Sequence, residues 1–176
     1  QTAYGVSRNV EGFHRRTQRW LGMPGAKAKE LTRSGGVITS EPHPRSVFKP
    51  DEPVFRLTPL ALKARLAAAL GASFVLNLTF DKALSDLEPQ AFIQKYLSAR
   101  MAAAHVVTGY DFHFGKGRKG NPTVLKELGA KLGFDVTIVD EVSDEGDRHS
   151  RFSSCPLRSA LRHGLVHSAA VGMALV

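Results

Sequence analysis

The stretch Gly109-Tyr110-Asp111-Phe112-His113-Phe114-Gly115-Lys116-Gly117-Arg118-Lys119-Gly120 gathers more chemically capable residue types than any other part of this 176-residue chain. Its glycines let the backbone approach a ligand closely and turn N–H groups toward an anion. Asp111 offers a carboxylate, and Lys116, Arg118 and Lys119 offer cations for phosphate. Phe112 and Phe114 alternate, so both could face an aromatic ring. The plainer alternative is a solvated loop with its two phenylalanines tucked into the core.

Two further segments carry related chemistry. Phe152-Ser153-Ser154-Cys155-Pro156-Leu157-Arg158 reads as a helix start, with serine caps, proline in the first turn, then Leu157 and Leu161. A helix N-terminus with two hydroxyls and an arginine one turn in is a natural phosphate seat; an ordinary cap with a solvent-facing arginine is the alternative. His14, Arg15 and Arg16, followed by Thr17, could hold a triphosphate or simply open a basic amphipathic helix. Cys155 reads as a small packed residue, since no His or Asn stands in sequence to activate it. The seven histidines show no HExxH or other metal-ligand spacing, and His163 and His167 flank Gly164 without a third ligand.

The elements that must position these groups alternate between strand-like and helix-like. Val37-Ile38-Thr39 is a β-branched run after Gly35-Gly36. Thr58 caps a helix with Pro59 at its first position, and Gly71 stops it. Phe74–Leu78 is the next strand. Glu88-Pro89 opens a helix in which Phe92, Ile93, Tyr96, Leu97 and Met101 recur at helical spacing. His105–Thr108 is a third strand, Pro122 starts a helix ended by Gly133, and Phe134–Val139 is a fourth strand. Ser159–Val176 reads as one or two short helices around Gly164. Gln1–Ser34 is the least regular part, Arg-rich and interrupted at Pro24-Gly25.

Such alternation indicates βαβ units, a parallel sheet and right-handed crossovers, hence an α/β domain with ligands outside the carboxyl ends of the strands. Glu41-Pro42-His43-Pro44, the loop from Gly109, and Phe152–Arg158 all fall at such ends.

Composition narrows the function classes. Hydrophobic residues at 43% and charged residues at 23% fit a packed globular domain and exclude a disordered or fibrous chain. Leu66–Phe80 is free of charge but too short and too polar to span a membrane. One cysteine excludes an internal disulfide, and no secretory signal is visible, so a reduced, cytoplasmic setting is expected. A net charge of +8 attracts polyanions, including phosphorylated small molecules and nucleic acid. No RNA-recognition signature such as KGFGFVxF is present, which disfavours a basic RNA-binding protein.

Taken in order, GVITSEPHPRSVF, RLTPLALKARLAAALGASFVLNLTFDKALSDL, AFIQKYL, VVTGYDFHFGKGRKGN and FSSCPLRSALRHG resemble bacterial FAD synthetase. In that family this region is the FMN adenylyltransferase module of the bifunctional riboflavin kinase/FAD synthetase. The resemblance runs from about Arg8 to the end. It is most specific in Glu41–Arg45 and Gly109–Gly120, and poorest over residues 1–34. It implies one Rossmann-like nucleotidyltransferase domain over residues 1–176, a parallel sheet flanked by helices. It also implies transfer of AMP from ATP to FMN with Mg²⁺, giving FAD and pyrophosphate. At 176 residues, no riboflavin kinase module is expected within this sequence.

The same resemblance implies site residues. Asn9, Glu11, Gly12, His14 and Thr17, with Ser153, Ser154 and Arg158, would bind ATP, with His14 and Arg158 catalytic. Glu41, Pro42, His43, Pro44, Gly109, Asp111, Phe112, Phe114 and Gly115 would bind flavin, and no metal ligand is assigned. The family opens with a Gly-Asn-Phe-Asp stretch and His-x-Gly-His. Here Asn9, Gly12 and His14 match and Glu11 replaces the aspartate, but Arg16 stands for the glycine and Thr17 for the second histidine. In the late Ile-Ser-Ser-Thr-x-Ile-Arg motif, Ser153, Ser154 and Arg158 match and Cys155 replaces threonine. These departures predict reduced catalysis, or a non-catalytic relative that keeps flavin or nucleotide binding.

Overall fold

The computed structural model describes residues 2–6, 15–51, 54 and 58–140, the stretches 2–6 and 15–21 as backbone only. Their strands are β1 (Thr2–Val6), β2 (Gly35–Glu41), β3 (Phe74–Thr79), β4 (Ala103–Gly109) and β5 (Asp135–Val139). All pair in parallel, in the order β3-β2-β1-β4-β5. The α/β parallel architecture read from sequence is therefore the observed one. The four sequence-predicted strands are all present, and a fifth, β1, lies at the centre. It is the short, weakly apolar run Thr2–Val6, in the part of the chain that reads as least regular from sequence.

The helices are α1 (Arg15–Glu30), α2 (Pro44–Phe48), α3 (Leu60–Ala69), α4 (Lys82–Ser85), α5 (Pro89–Phe92) and α6 (Pro122–Leu132). Helix α5 widens directly into a π-helical segment, Ile93–Arg100. Right-handed crossovers place α1 and α3 on one face of the sheet, and α5 with its π extension and α6 on the other. On the latter face Ile38, Leu78, Phe92, Ile93, Leu97, Val106, Leu125 and Phe134 belong to one buried cluster. On the former, Val37, Ala67 and Ala72 form a smaller one.

Local signals explain the best-placed boundaries. Asn121 Oδ1 accepts the Val124 N–H at 2.9 Å, Pro122 occupies the first turn, and Gly133 ends α6 in the left-handed region at φ 81°. Helix α3 begins one residue later than predicted, with Pro59 rather than Thr58 at the cap. The interruption expected at Pro24-Gly25 is not found, because both lie inside continuous α1. Pro24 is fully buried, and a Cβ on Gly25 would stand 2.9 Å from the Gly71 carbonyl oxygen. Close packing against the end of α3 outweighs the local penalty of proline.

Candidate functional site at the carboxyl edge of the sheet

Because every strand runs the same way, Glu41 at the end of β2 and Gly109 at the end of β4 open on the same edge. Strand order reverses there, with β2 and β3 on one side of β1 and β4 and β5 on the other, which is where open α/β sheets bind ligands. One strand lies between β2 and β4, so the two chain ends stand about 10 Å apart. The sequence segments Glu41–Pro44 and Gly109–Gly120 are thereby brought to one edge.

On the β2 side, the Glu41–Pro42 peptide is cis. Glu41 is held twice: its carbonyl accepts the Phe80 N–H at 2.9 Å, and its Oε1 accepts from Lys63 Nζ at 3.1 Å. His43 Nδ1 accepts the Arg45 N–H at 3.1 Å and so caps α2. Helix α2 ends on Phe48, whose ring is 65% exposed and edge-on to Phe80 at 5.9 Å.

On the β4 side, the Tyr110 N–H donates to the Val139 carbonyl and continues the β4–β5 pairing. Phe114 and Gly120 then exchange hydrogen bonds at 3.1 and 2.9 Å, closing the loop as a small antiparallel bridge. Gly115 sits at φ 70° with no room for a side chain, since a Cβ would lie 2.9 Å from Pro89. Phe112 and Phe114 stack on each other at 5.3 Å and are buried, with Phe114 also against Phe92. The two rings thus pack into the core, and Tyr110 and Asp111 are the exposed residues at the loop's start. His113 Nδ1 donates to the Asp111 carbonyl at 2.9 Å. Lys116, Arg118 and Lys119 are exposed, and Lys119 meets Glu88 at 3.5 Å.

Asn9, Glu11, Gly12, His14, Ser153, Ser154 and Arg158 lie outside the described residues, as does the predicted C-terminal helical part. Arg16 and Thr17 fall in the first turn of α1. Among the described residues no group of three or more His, Cys, Asp or Glu side chains comes together as a metal cage, and no helix is long and apolar enough to cross a membrane. A cavity of about 330 Å³ lined by Lys27, His105, Lys126, Phe134 and Asp135 lies at the opposite, amino-terminal edge of β4 and β5. It is remote from these segments.

Two residues of this edge escaped the sequence reading. Phe48 carries a signal only in hindsight, as a large apolar residue four positions after a Pro-x-Pro turn. Lys63 had a usable one: it precedes the buried Ala67 by one helical turn, so it falls on the stripe of α3 that packs on the sheet.

A family model described as FAD synthetase matches residues 9–153. The chain belongs to the FAD synthetase family. It is 32% identical over 153 residues to the bifunctional riboflavin kinase/FMN adenylyltransferase of Escherichia coli (strain K12), covering 87% of this chain and 48% of that protein. It is 36% identical over 148 residues to the bifunctional protein of the same description from Listeria monocytogenes, covering 81% and 46%. A FAD synthetase from the same organism is 29% identical over 129 residues, covering 72% and 50%. The chain spans about half the length of these curated relatives. Among solved structures, one described as a macrolide-efflux protein from Streptococcus pneumoniae superposes with a TM-score of 0.83 at 24% identity. It covers 98% of this chain and 64% of that one, a likeness of fold alone.

Proposed function

We propose that this chain is a nucleotidyltransferase that joins the AMP part of ATP to FMN, giving FAD and pyrophosphate. The observation that carries the reading is a coincidence of family and topology. Glu41–Arg45 and Gly109–Gly120, both within the matched residues 9–153, flank the central strand on the edge of the parallel sheet where such folds bind ligands.

An oxygen of the FMN phosphate attacks the α-phosphorus of ATP. That P–O bond forms as the bond to the bridging oxygen breaks, and pyrophosphate leaves with the electron pair. Catalysis of this kind rests on holding the two phosphates in line and on donors aimed at the developing charge. On the flavin side, the exposed ring of Phe48 and the exposed Tyr110 offer aromatic surface on either side of β1. Asp111 offers an acceptor beside them, with Glu41, Pro42, His43, Pro44, Gly109 and Gly115 shaping the wall. Phe112 and Phe114 brace the loop from within. The exposed cations Lys116, Arg118 and Lys119 draw phosphate toward the same edge. The triphosphate is assigned to His14 and Arg158, with Asn9, Glu11, Gly12, Thr17, Ser153 and Ser154 in support. Mg²⁺ belongs to this proposal only as the companion of the ATP phosphates, because the described residues offer it no cage. The proposed unit is the single domain 1–176, acting on small molecules in the cytoplasm.

A second reading, a flavin-binding relative with little turnover, is favoured by Arg16 and Thr17 in the first turn of α1. The family has glycine and histidine there, and losing one preorganised transition-state donor costs about a hundred- to a thousandfold in rate. Titration of FMN by flavin fluorescence, with an assay for FAD from FMN and MgATP alongside, tests both readings. FMN binding with slow FAD formation is the expected result. Asp111→Ala weakens FMN binding, and an unchanged titration refutes that assignment. Arg16→Gly with Thr17→His raises the rate about tenfold or more; no gain means the first motif is not where catalysis is limited.

A further inference from the structure

Lys63 lies on α3 with its side chain 3% exposed, an unusual place for a lysine unless it is paired. Its partner is Glu41, 22 residues earlier in the chain and itself only 15% exposed, with Nζ 3.1 Å from Oε1. The pair joins the helix covering β2 and β3 to the last residue of β2. From that residue the chain turns through Pro42, His43 and Pro44 into α2 and on to the exposed Phe48.

A buried lysine–carboxylate pair adds little net stability, because desolvation offsets most of the attraction, and an apolar pair of similar size would hold α3 to the sheet as well. What the ion pair supplies instead is direction. It fixes the Glu41 carboxylate toward α3, while the Phe80 N–H fixes the Glu41 carbonyl toward β3. With both ends of Glu41 held, the following turn has one path. The surroundings agree with a polar design: Thr39 lies two residues earlier on the same side of β2, and its cross-strand neighbour Asn77 faces the same way. Both keep a buried oxygen without a hydrogen-bond partner.

We propose that Lys63 is a positioning residue for FMN: through Glu41 it sets the path of the Glu41–Pro44 turn, and so the placement of Phe48 against the flavin. This rests on the flavin side of the proposed function. The residue acts on one substrate only, which separates it from a general prop of the fold.

The test uses the full chain with Lys63→Met, Lys63→Gln and Lys63→Arg, measuring FMN binding by flavin fluorescence, MgATP binding by calorimetry, and thermal unfolding. Lys63→Met is expected to weaken FMN binding about tenfold, the scale of a small misplacement in a binding wall. MgATP binding stays as in the wild type, and Lys63→Arg, which keeps the charge, restores FMN affinity. Should Lys63→Met not fold, Lys63→Gln, which is polar but uncharged and one atom shorter, gives the same reading. Unchanged FMN binding in a folded Met or Gln variant overturns the proposal, as does parallel loss of FMN and ATP binding, or failure of arginine to rescue. Failure of both Met and Gln variants to fold makes Lys63 structural and overturns it too. A wild-type chain that binds no FMN removes the proposed function and this role with it, whereas wild-type binding with unaffected variants removes this role alone.

Discussion

The two faces of this sheet are made of different material. Under α5, its π extension and α6, the sheet meets phenylalanines and branched aliphatics: Phe92, Ile93, Leu97, Phe112, Phe114, Leu125 and Phe134 close over Ile38, Leu78 and Val106. Under α1 and α3, the described apolar residues are smaller and fewer: Val37, Ala67 and Ala72, with the partly buried Leu70, Val75 and Val139 and the buried Ala28 and Val107, and among them stand Thr39, Asn77, Lys63, Glu41 and His105. A parallel sheet covered on both sides ordinarily reads as continuous apolar runs, so the polar residues on the second face are the anomaly. The apolar face holds the loop Gly109–Gly120 from beneath through Phe112 and Phe114. The polar face holds the turn after β2 through an ion pair. Each half of the candidate flavin wall is thus anchored by a different physical means: packing in one case, directed charge in the other.

The largest effects are expected on the apolar face. Leu97 is completely buried in the π segment. Leu97→Ala should cost about 2–5 kcal/mol, from lost transfer energy plus the cavity left behind. On the other face, Ala67→Gly in α3 removes one buried methyl group and some helix propensity, for about 1–2 kcal/mol. Urea unfolding of both variants measures the contrast directly. Equal losses would mean that the polar face carries as much of the fold as the apolar one.

His105 gives the comparison a pH axis. It is 6% exposed on the polar side of β4, with Nε2 2.8 Å from Thr137 Oγ1. Burial first, then the nearby Lys27 ammonium, pushes its pKa below the ordinary histidine value of 6.5, against opposing pulls from Asp135 and Glu30. Lys126 of α6 lines the same cavity. The folded state therefore keeps the ring neutral where the unfolded chain would already take up a proton. Stability from this source is complete above about pH 6.5 and is lost as the pH falls from there through the lowered folded value. His105→Gln, which keeps an amide to meet Thr137, should flatten the fall in melting temperature between pH 7 and the acid side. Identical slopes in variant and wild type would show that other groups set the acid sensitivity.

How much of this was legible beforehand follows the same division. Strands, helices and the parallel arrangement could be read because β-branched runs, Asn121-Pro122 and Gly133 act locally, on residues next to them. The central place of β1 could not be read from apolar pattern, because Thr2–Val6 is short and contains Gly5; its pairing with β2 and β4 is a long-range result. Pro24 misled for the same reason in reverse, since its local penalty is overcome by burial that only the fold reveals. The loop Gly109–Gly120 was identified from its residue types, but whether Phe112 and Phe114 would face a ligand or the core depended on Phe92, some twenty residues away. Lys63 could be placed on the stripe of α3 that packs on the sheet, but its pairing with Glu41 depends on how the strand and helix that carry them come together.

The smallest effect separates the faces most finely. Thr108 and Thr39 are both almost completely buried, and each hydroxyl oxygen lacks a hydrogen-bond partner. Thr108 shares the side of β4 that carries Val106, the apolar face, whereas Thr39 stands beside Asn77 on the polar one. Valine has the shape of threonine without the hydroxyl, so the substitution removes a stranded polar group and leaves the packing alone. For Thr108→Val this should stabilise the fold by about 1 kcal/mol, the low end of the penalty for an unsatisfied buried group. For Thr39→Val the gain should be smaller, because Asn77 keeps its own unpartnered oxygen and loses the one polar neighbour across the strand. Chemical unfolding of the two single variants, and of Thr39→Val with Asn77→Val, resolves this. On the polar face the double change should gain more than the sum of its singles. Equal gains at Thr108 and Thr39, with strict additivity to Asn77, would mean that the seam beneath α3 is no more polar in its energetics than the face opposite.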